Sequence, residues 1–431
     1  MKQIIFTSRF VTTILTLFTV IIIPLSNGCR APDQNTTGRV ETQKKAEQPY
    51  LPGPELIDIQ VAGNIEFALD LQRVLYNPAH NLFYSPWSIS QALAMTFAGA
   101  RSETEQQMAA TLHFTLPQEQ LHPVFHALEQ ALTADSGHDR SAFRLQITDA
   151  LWAQLDFPIL ASYLSVTTPN YNAPLRAVDF REREETRQLI NRWGSDQTDG
   201  RIKELVPRGL INGETALVLT SAVYFNAAWK TPFRKQNRYQ GSFQLLDGRE
   251  VTVPMMPQLA LLGYHKEPDV QIIELPYAGE RYAMVLLLPT VGTFERFVQE
   301  LEPSRLSALL AGLKPTGIGL DLPSFSMNSN YLLKEALQHL GMVEAFSEAD
   351  FSGISGTREL FIRDVCHSSF ISVDEEGTEA TAGSAVIIER KGGGPRLEVS
   401  VTVASPFIYL IRDNATGTIL FLGQLLDPTQ Q

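Results

Sequence analysis

A segment of small residues near the C-terminus carries the strongest structural signal in the chain. It reads Glu375-Glu376-Gly377-Thr378-Glu379-Ala380-Thr381-Ala382-Gly383-Ser384-Ala385-Val386-Ile387-Ile388. Counted in twos from Thr378, the residues are uncharged, whereas Glu379 stands in the intervening set. Because successive side chains of a β-strand point to opposite faces, this alternation predicts a strand that can bury one face in a sheet.

The residues that follow this segment have a different character. They read Glu389-Arg390-Lys391-Gly392-Gly393-Gly394-Pro395, a mixture of charge, glycine and proline that is typical of an exposed, protease-accessible loop. Two interpretations remain open from composition alone. One is a strand that inserts into a sheet and carries a cleavable loop, and the other is an ordinary surface strand with a basic turn.

The overall composition excludes several classes of function. The 431 residues are 44% hydrophobic and 19% charged with a formal net charge of -12, which is typical of a globular protein. An acidic chain lacks the basic face that binds a nucleic-acid backbone, so no nucleic-acid partner is expected. The two cysteines, Cys29 and Cys366, are too few for a disulfide framework or a multi-cysteine zinc site.

Residues 1–29 are predicted to be an export signal. Lys2 and Arg9 supply a positive start, and residues 10–23 form an apolar run too short to span a bilayer comfortably. The following Leu25-Ser26-Asn27-Gly28-Cys29 resembles the bacterial lipoprotein signal, although the leucine lies one position further from the cysteine than is usual. Lipid attachment at Cys29 is therefore predicted, with a plain secretory signal and a retained signal anchor as alternatives.

The rest of the chain divides into a spacer and one domain. Residues 30–55 are rich in proline, threonine, glutamine and charge, which predicts a flexible linker. Residues 56–431 contain no internal repeat and no second linker, which favours a single domain. With the lipid anchor, this organisation predicts an exported protein held at the extracellular or periplasmic face of a bacterial membrane.

Periodicity within the domain predicts an α+β fold. Apolar residues at helical spacing, a Ser85-Pro86 helix start and a Ser102-Glu103-Thr104-Glu105 capping box mark the early helices. Continuous apolar runs predict strands covered on both faces, and strict alternation predicts a half-exposed strand. The predicted helices are residues 64–75, one from Pro86, one from Ser102, and 183–198; the predicted strands are residues 215–225, 282–288, 397–403, 407–411 and 418–422.

The sequence contains no recognisable catalytic motif. A nucleophile elbow, a P-loop, a zinc-protease helix and a dinucleotide-binding loop are all absent. His122 and His126 lie four apart but have no accompanying metal ligands, so we interpret them as surface histidines. Cys366 and His367 are adjacent and would point to opposite faces of a strand, which prevents nucleophilic pairing. We therefore expect no enzymatic activity, no cofactor and no metal.

A series of motifs occurs along the chain from about Leu56 to the C-terminus. They are Asn81-Leu82-Phe83-Tyr84-Ser85-Pro86-Trp87-Ser88-Ile89-Ser90, Gly99-Ala100-Arg101-Ser102-Glu103-Thr104, Asn191-Arg192-Trp193, Thr198-Asp199-Gly200-Arg201-Ile202, Val253-Pro254-Met255-Met256, Glu274-Leu275-Pro276-Tyr277, Ala349-Asp350-Phe351-Ser352-Gly353 and residues 375–384. In order and spacing these motifs resemble the serpin family of serine protease inhibitors, in which the last of them is the hinge. The resemblance implies an α+β fold with three β-sheets, about nine helices and an exposed reactive-centre loop.

The resemblance also implies a mechanism. Inhibitory serpins are suicide substrates, in which a serine protease attacks the loop and forms an acyl-enzyme. The loop then inserts into the largest sheet as a new strand and deforms the attached protease before the ester is hydrolysed. The scissile residue usually lies sixteen positions after the glutamate that opens the hinge, which points from Glu375 to the Lys391–Gly392 bond. Arg390 is the alternative scissile residue.

Several further positions take expected roles from the family pattern. Ser85 and Ser88 match serines beneath the opening sheet, and His367 matches a histidine of that region. Its usual partner is an asparagine, where this chain has Ser221, so a changed hydrogen-bond network is expected. Trp229 matches the tryptophan where the loop first enters the sheet.

The hinge distinguishes two classes of function. Non-inhibitory serpins tend to carry bulky, charged or proline residues there, whereas this hinge is small and mostly uncharged, so inhibition of trypsin-like proteases is expected. The alternative is a non-inhibitory binding or carrier module. Thr378 begins the inserting strand, and its side chain is expected to pass from solvent to the sheet interior. The hinge residues are Glu375, Gly377, Thr378, Ala380, Thr381, Ala382, Gly383 and Ser384.

Other partners follow from the same pattern. Some serpins bind heparin through a basic helix, but residues 121–133 contain no lysine or arginine, so heparin binding is not expected. The chain is expected to act as a monomer that forms a covalent acyl complex with its target protease.

Overall fold

The computed structural model describes residues 52–134, 143–171, 175–378 and 395–430. Ten α-helices and fifteen β-strands occur in these residues. The helices are α1 (Pro54–Leu75), α2 (Pro86–Phe97), α3 (Ser102–Thr111), α4 (Gln118–Thr133), α5 (Ala161–Asn170), α6 (Arg183–Gln197), α7 (Phe294–Glu300), α8 (Pro303–Ala311), α9 (Lys334–His339) and α10 (Ser352–Ser355). The strands are β1 (Leu82–Tyr84), β2 (Phe143–Gln154), β3 (Leu175–Val178), β4 (Leu217–Ala228), β5 (Tyr239–Gln244), β6 (Glu250–Lys266), β7 (Val270–Pro276), β8 (Tyr282–Pro289), β9 (Lys314–Pro323), β10 (Phe325–Leu332), β11 (Val365–Val373), β12 (Gly377–Thr378), β13 (Val399–Thr402), β14 (Phe407–Asp413) and β15 (Ile419–Leu425).

The described strands form two hydrogen-bonded sheets, and the α+β class predicted from the sequence is confirmed. The six-stranded sheet has the order β10-β11-β12-β4-β2-β3, and the nine-stranded sheet has the order β1-β15-β14-β8-β7-β6-β9-β13 with β5 paired to β6. Three sheets were expected from the family pattern. The count differs because the long strand β6 pairs with β9 and, at its end, with β7, which joins two sheets into one ladder.

Helix α2 lies at the centre of the core. All twelve of its residues are buried, and it contacts β2 and β4 of one sheet and β15 of the other. The predicted helix start is confirmed, since the Ser85 side chain accepts a hydrogen bond from the Ser88 amide at 3.2 Å and Pro86 is the first helical residue. A helix buried on every side fixes the spacing between the two sheets.

The opposite face of the six-stranded sheet is covered by α6. Trp152, Val218 and Cys366 from three strands pack with Ile190 of the helix in a separate apolar cluster. Both faces of the central strands are therefore covered, as the continuous apolar runs predicted.

One local prediction is wrong. Ser102 is the first residue of α3 and not its cap, and Arg101 occupies the cap position without a side-chain capping bond. The Ser102 hydroxyl instead donates to Asp350 Oδ2 at 3.0 Å. The tertiary contact with residue 350 replaces the local one that the sequence suggested.

The remaining predicted helices and strands are present, and apart from α1 their ends differ from the prediction by three residues or fewer. Helix α1 was predicted over residues 64–75 but begins at Pro54, ten residues earlier and two residues before the predicted start of the domain. None of the described helices combines the length and the apolar character needed to cross a membrane.

Candidate functional site

The site is a seam in the six-stranded sheet between β4 and β11. The two strands pair in parallel from Leu219 opposite Val365 to Val223 opposite Ser369. Beyond that point they separate, and β12 lies between them in antiparallel pairing with both. Two residues of the hinge therefore already occupy the upper end of the seam.

Gly377 allows the hinge to enter this narrow space. A Cβ atom on Gly377 would lie 2.1 Å from the Ala227 carbonyl oxygen and 2.8 Å from the Ala228 Cα. Backbone cannot move away as a flexible side chain can, so no other residue fits here without separating β4 from β12.

Thr378 is completely buried at the end of β12. The expectation that its side chain starts in solvent is wrong, because Thr378 is already paired with Val373 of β11 and with Ala227 of β4. Its hydroxyl lies 2.6 Å from Tyr277 Oη, and Tyr277 stacks on Trp229 with ring centroids 4.6 Å apart. Burial raises the pKa of Tyr277, so the phenol is neutral and available as a hydrogen-bond partner.

The residues after β4 hold the hinge backbone in place. The amide of Trp229 donates to the Glu376 carbonyl, and its indole Nε1 donates to the Asp374 carbonyl, both at 2.9 Å. The amide of Phe233 donates to the Glu375 carbonyl at 2.9 Å. Trp229 thus contacts the turn that leads into β12 through both its backbone and its side chain.

Two basic residues neutralise the glutamates of this turn. Arg238 lies 3.4 Å from the carboxylate of Glu375, whose side chain is only 5% exposed. Lys235 pairs with Glu376 at 2.5 Å, and this hydrogen bond raises the pKa of the lysine. A nearly buried carboxylate is costly without a cation, so Arg238 stabilises the position of the hinge. Sequence reasoning missed both cations because they lie far from the hinge along the chain.

A chain of hydrogen bonds crosses the lower part of the seam. The amide of Ser85 donates to His367 Nε2 at 3.0 Å, which leaves the ring proton on Nδ1. Nδ1 therefore donates to Ser221 Oγ at 3.1 Å, and Ser221 then donates to Ser88 Oγ at 2.6 Å. The expected changed network exists, with serine bound to the imidazole where the family usually has asparagine.

Asp149 on β2 ends this chain and was missed from the sequence. Ser88 Oγ donates to Asp149 Oδ1 at 2.7 Å, and burial raises the pKa of the carboxyl to about 8. Burial also lowers the pKa of His367 to about 3, so the imidazole is neutral. The only sequence signal was an isolated acidic residue in an apolar strand, opposite Ser221 in the sheet register.

One of the two histidines of α4 differs from expectation. The interpretation of His122 as a surface residue is wrong, because it is buried and its Nδ1 lies 2.7 Å from Tyr171 Oη. Burial lowers its pKa to about 4. Across the described residues, no group of three or more histidine, cysteine, aspartate or glutamate side chains could hold a metal ion.

Cys366 and His367 lie on opposite faces of β11, as their adjacency predicts. Cys366 packs in the apolar cluster beneath α6, where burial raises the pKa of its thiol. His367 belongs to the hydrogen-bond chain on the other face.

Other predicted site residues fall outside the described part of the chain and stay predictions. They are Cys29, Ala380, Thr381, Ala382, Gly383, Ser384, Arg390, Lys391 and Gly392.

Comparisons with known proteins agree with this architecture. Residues 62–428 match the family model "Serpin (serine protease inhibitor)". The human leukocyte elastase inhibitor is 37% identical over 381 residues, covering 85% of this chain and 99% of that protein. The native state of the thermophilic serpin tengpin superposes with a TM-score of 0.78 at 28% identity over 88% of this chain and 96% of the other. Human thyroxine-binding globulin superposes with a TM-score of 0.77 at 27% identity, covering 87% of this chain and all of the other.

Asp149 predicts a pH dependence of stability. Its pKa is about 8 in the folded protein, whereas an unfolded aspartate titrates near ~4. Between these values the folded state holds a proton that the unfolded state has lost. The free energy of unfolding should therefore fall as pH rises through this window, by about 1.4 kcal/mol per pH unit for one proton. Urea unfolding at a series of pH values should show that the free energy of unfolding of Asp149→Asn falls less steeply with pH than that of the parent, between about pH 4 and pH 8.

The matched control is Asp156→Asn. In the parent protein the Asp156 side chain is 66% exposed and its carboxylate pairs with Arg181. This variant should keep the parent slope. Equal slopes for Asp149→Asn and the parent would show that residue 149 does not hold a proton in the folded state.

Proposed function

Because this chain belongs to the serpin family, we propose that it inhibits trypsin-like serine proteases irreversibly, by cleavage and sheet insertion of its reactive-centre loop. It acts as a consumed substrate and not as an enzyme. Attack on the Lys391–Gly392 bond gives an acyl-enzyme, in which the Lys391 carbonyl carbon is bonded to the protease serine and the Gly392 amine has left. Insertion of the hinge segment must finish before water hydrolyses that ester.

The occupied upper end of the β4–β11 seam is the observation that carries this proposal. Thr378 pairs with both strands and Gly377 pairs with β4, so further insertion continues an existing ladder and does not need a new nucleus. If about a dozen further ladder bonds each contribute ~1 kcal/mol, insertion gains on the order of 10 kcal/mol before burial is counted. That gain is available only after cleavage frees one end of the loop.

A carrier function is the alternative, and thyroxine-binding globulin is a structural neighbour with a binding role in its name. The hinge argues against it. Gly377 occupies a space between the strands that would not admit a Cβ atom. Thr378 is buried and hydrogen-bonded to Tyr277, as expected for a segment whose residues enter the sheet. Such complementarity is not needed in a protein whose loop stays outside.

The proposed specificity predicts where the loop is cut. Trypsin-like proteases have a carboxylate at the base of the primary pocket, which selects a cation, and Lys391 supplies one. Incubation with trypsin should yield an SDS-stable complex, and mass spectrometry of the released C-terminal peptide should place the cut after Lys391. Lys391→Ala should lose most of its rate of complex formation with trypsin.

Two outcomes would change the assignment. A cut after Arg390 would move the register of the loop by one residue. A cut after Val386 or Ile388 by an elastase-type enzyme, with tight inhibition, would overturn trypsin-like specificity and bring this chain closer to its elastase-inhibiting relative.

Thr378→Arg should convert the inhibitor into a substrate. An arginine in this position would bury an unpaired charge beside Tyr277, which costs several kcal/mol after relaxation. Each ~1.4 kcal/mol added to the insertion barrier slows insertion about tenfold. Hydrolysis of the acyl-enzyme then becomes faster than insertion. The variant should still be cleaved after Lys391, but many molecules should be consumed for each protease inactivated.

Two controls separate burial from hydrogen bonding. Thr378→Val keeps the shape of the side chain and loses only the hydrogen bond to Tyr277. The number of inhibitor molecules consumed for each protease inactivated should therefore rise little. Glu379→Arg, on the outward face by the sequence alternation, should also have a small effect. Efficient inhibition by Thr378→Arg would mean that the loop does not act by insertion.

Lipid attachment at Cys29 is proposed to place the inhibitor at a bacterial membrane, with residues 30–55 as the spacer. The full-length protein should partition with membranes into detergent, because an acylated terminus supplies the required apolar area. Cys29→Ala should be released or remain unprocessed. Recovery of the wild-type protein entirely in the soluble fraction would support a plain secretory signal instead.

A further inference from the structure

His113, in the connection between α3 and α4, contacts two carboxylates of α1 at once. Its Nδ1 lies 2.9 Å from Glu66 Oε2, and its Nε2 lies 2.7 Å from Asp70 Oδ2. Glu66 and Asp70 are four residues apart in the helix, so their side chains lie on the same face. The imidazole ring therefore bridges the two carboxylates, and we call these three residues the histidine clamp.

The geometry of the histidine clamp requires a protonated ring. An ionised carboxylate only accepts hydrogen bonds, whereas a neutral imidazole has one N–H group and one lone pair. In the neutral ring, one nitrogen would direct its lone pair at a carboxylate oxygen. In the imidazolium ion both nitrogens donate, and both hydrogen bonds are charge-assisted. The hydrogen bond with Asp70 accordingly raises the pKa of His113 and lowers the pKa of Asp70.

The backbone of residue 113 adopts a conformation that favours glycine. Its φ is 53°, in the left-handed region. Helix α3 ends here in a Schellman motif, because the amide of Phe114 donates to the Ala109 carbonyl at 2.9 Å. Glycine is the usual residue at this position, since a Cβ atom is unfavourable there. The ion pairs of the His113 side chain therefore offset a backbone conformation that glycine would adopt more easily.

We propose that the histidine clamp is a pH-operated switch, which holds the connection between α3 and α4 against α1 only while the His113 ring is protonated. Loss of the ring proton to water removes one of the two hydrogen bonds and leaves the backbone conformation without its compensation. The contact that loosens is close, since a Cβ atom on Gly63 of α1 would lie 2.4 Å from the His113 carbonyl oxygen. This switch does not depend on the proposed inhibition.

Arg73 of α1 adds a positive charge beside the clamp. Its Nη1 lies 2.6 Å from Asp70 Oδ1, and its Nη2 lies 3.0 Å from Glu302 Oε1. Arg73 therefore shares Asp70 with the ring. Arginine keeps its charge throughout the range in which histidine titrates, so the change with pH comes from the ring and not from this pair.

The neighbouring helices supply the other charged groups of this region. The acidic residues in the first turns of α3 and α4 are Glu103, Glu105 and Glu119. Gln118 of α4 donates to Glu105 at 2.7 Å, so the two first turns lie together, at the opposite end of α3 from His113. His339 is exposed at the end of α9, and the next residue, Leu340, accepts a hydrogen bond from Thr111. The titration of His339 therefore has to be separated from that of His113.

The first measurement follows the His113 ring by NMR as the pH is raised, with the resonance assigned by its loss in His113→Gln. Its titration midpoint should lie above that of the same histidine in the urea-unfolded protein, which is expected at about 6.5. Added salt should move the midpoint back toward the unfolded value, because the three side chains are partly exposed and their charges are screened. A midpoint at or below the unfolded value would overturn the switch.

The second measurement tests the direction of the effect on stability. A raised pKa in the folded state adds stability that is fully present below the unfolded pKa and is lost as pH rises through the folded pKa. In urea unfolding, the unfolding equilibrium constant of His113→Gln should exceed that of the parent several-fold at about pH 6 and approach it at about pH 9. The contribution of Asp149 is common to both proteins and cancels in this ratio.

Three further variants identify the source of a change. His339→Gln, the matched control, should give the same ratio to the parent at both pH values. Glu66→Gln removes one carboxylate and should lower the titration midpoint of His113 while the ring remains. His113→Gly relieves the backbone and should unfold less readily than His113→Gln at both pH values. A ratio for His113→Gln that does not change between the two pH values would assign the histidine a structural role only and overturn the switch.

Discussion

The structure of the six-stranded sheet depends on one constraint: β4 and β11 can pair directly only where the hinge strand β12 does not lie between them. They do so over five residues each, and then β12 separates them. Parallel strands joined edge to edge leave no room for a third, so every further residue of the hinge that enters must break a direct pair. The hydrogen bonds lost are replaced by twice as many, since a central strand pairs on both sides. Under the proposed mechanism, this gain in hydrogen bonds is what favours insertion once the loop is free to move.

The hydrogen-bond chain beneath the seam opposes the same opening. The bond from His367 to Ser221 joins β11 to β4 and must be broken or redirected when the strands part. The backbone amide of Ser85 fixes the tautomer of the imidazole, so the direction of every bond down to Asp149 is determined. A buried network of this kind is costly when it is only partly satisfied, which makes it a barrier to opening in the intact protein. The hinge at the top and the network below therefore act on one equilibrium in opposite directions.

Local patterns in the sequence predicted much of the fold, and long-range contacts account for the rest. The continuous apolar runs located β4 and β8, and the alternation located β13, because both patterns depend only on neighbouring residues. The burial of Thr378 could not be predicted, since it depends on a bond to Tyr277 one hundred and one residues away. The pairing of Arg238 with Glu375 is equally remote in sequence. His122 was misinterpreted because its polarity suggests exposure, whereas a tyrosine from another helix end satisfies it in the interior.

The most direct test of the account compares the thermal stability of intact and cleaved protein. Trypsin-like cleavage at the Lys391–Gly392 bond without a bound protease should let the loop enter the seam and complete the six-stranded sheet. Calorimetry should then show an unfolding midpoint raised by at least roughly 10 °C, because a gain on the order of 10 kcal/mol is large for a domain of this size. A cleaved protein that unfolds at the same temperature as the intact one, or at a lower temperature, would contradict insertion as the source of the inhibitory force.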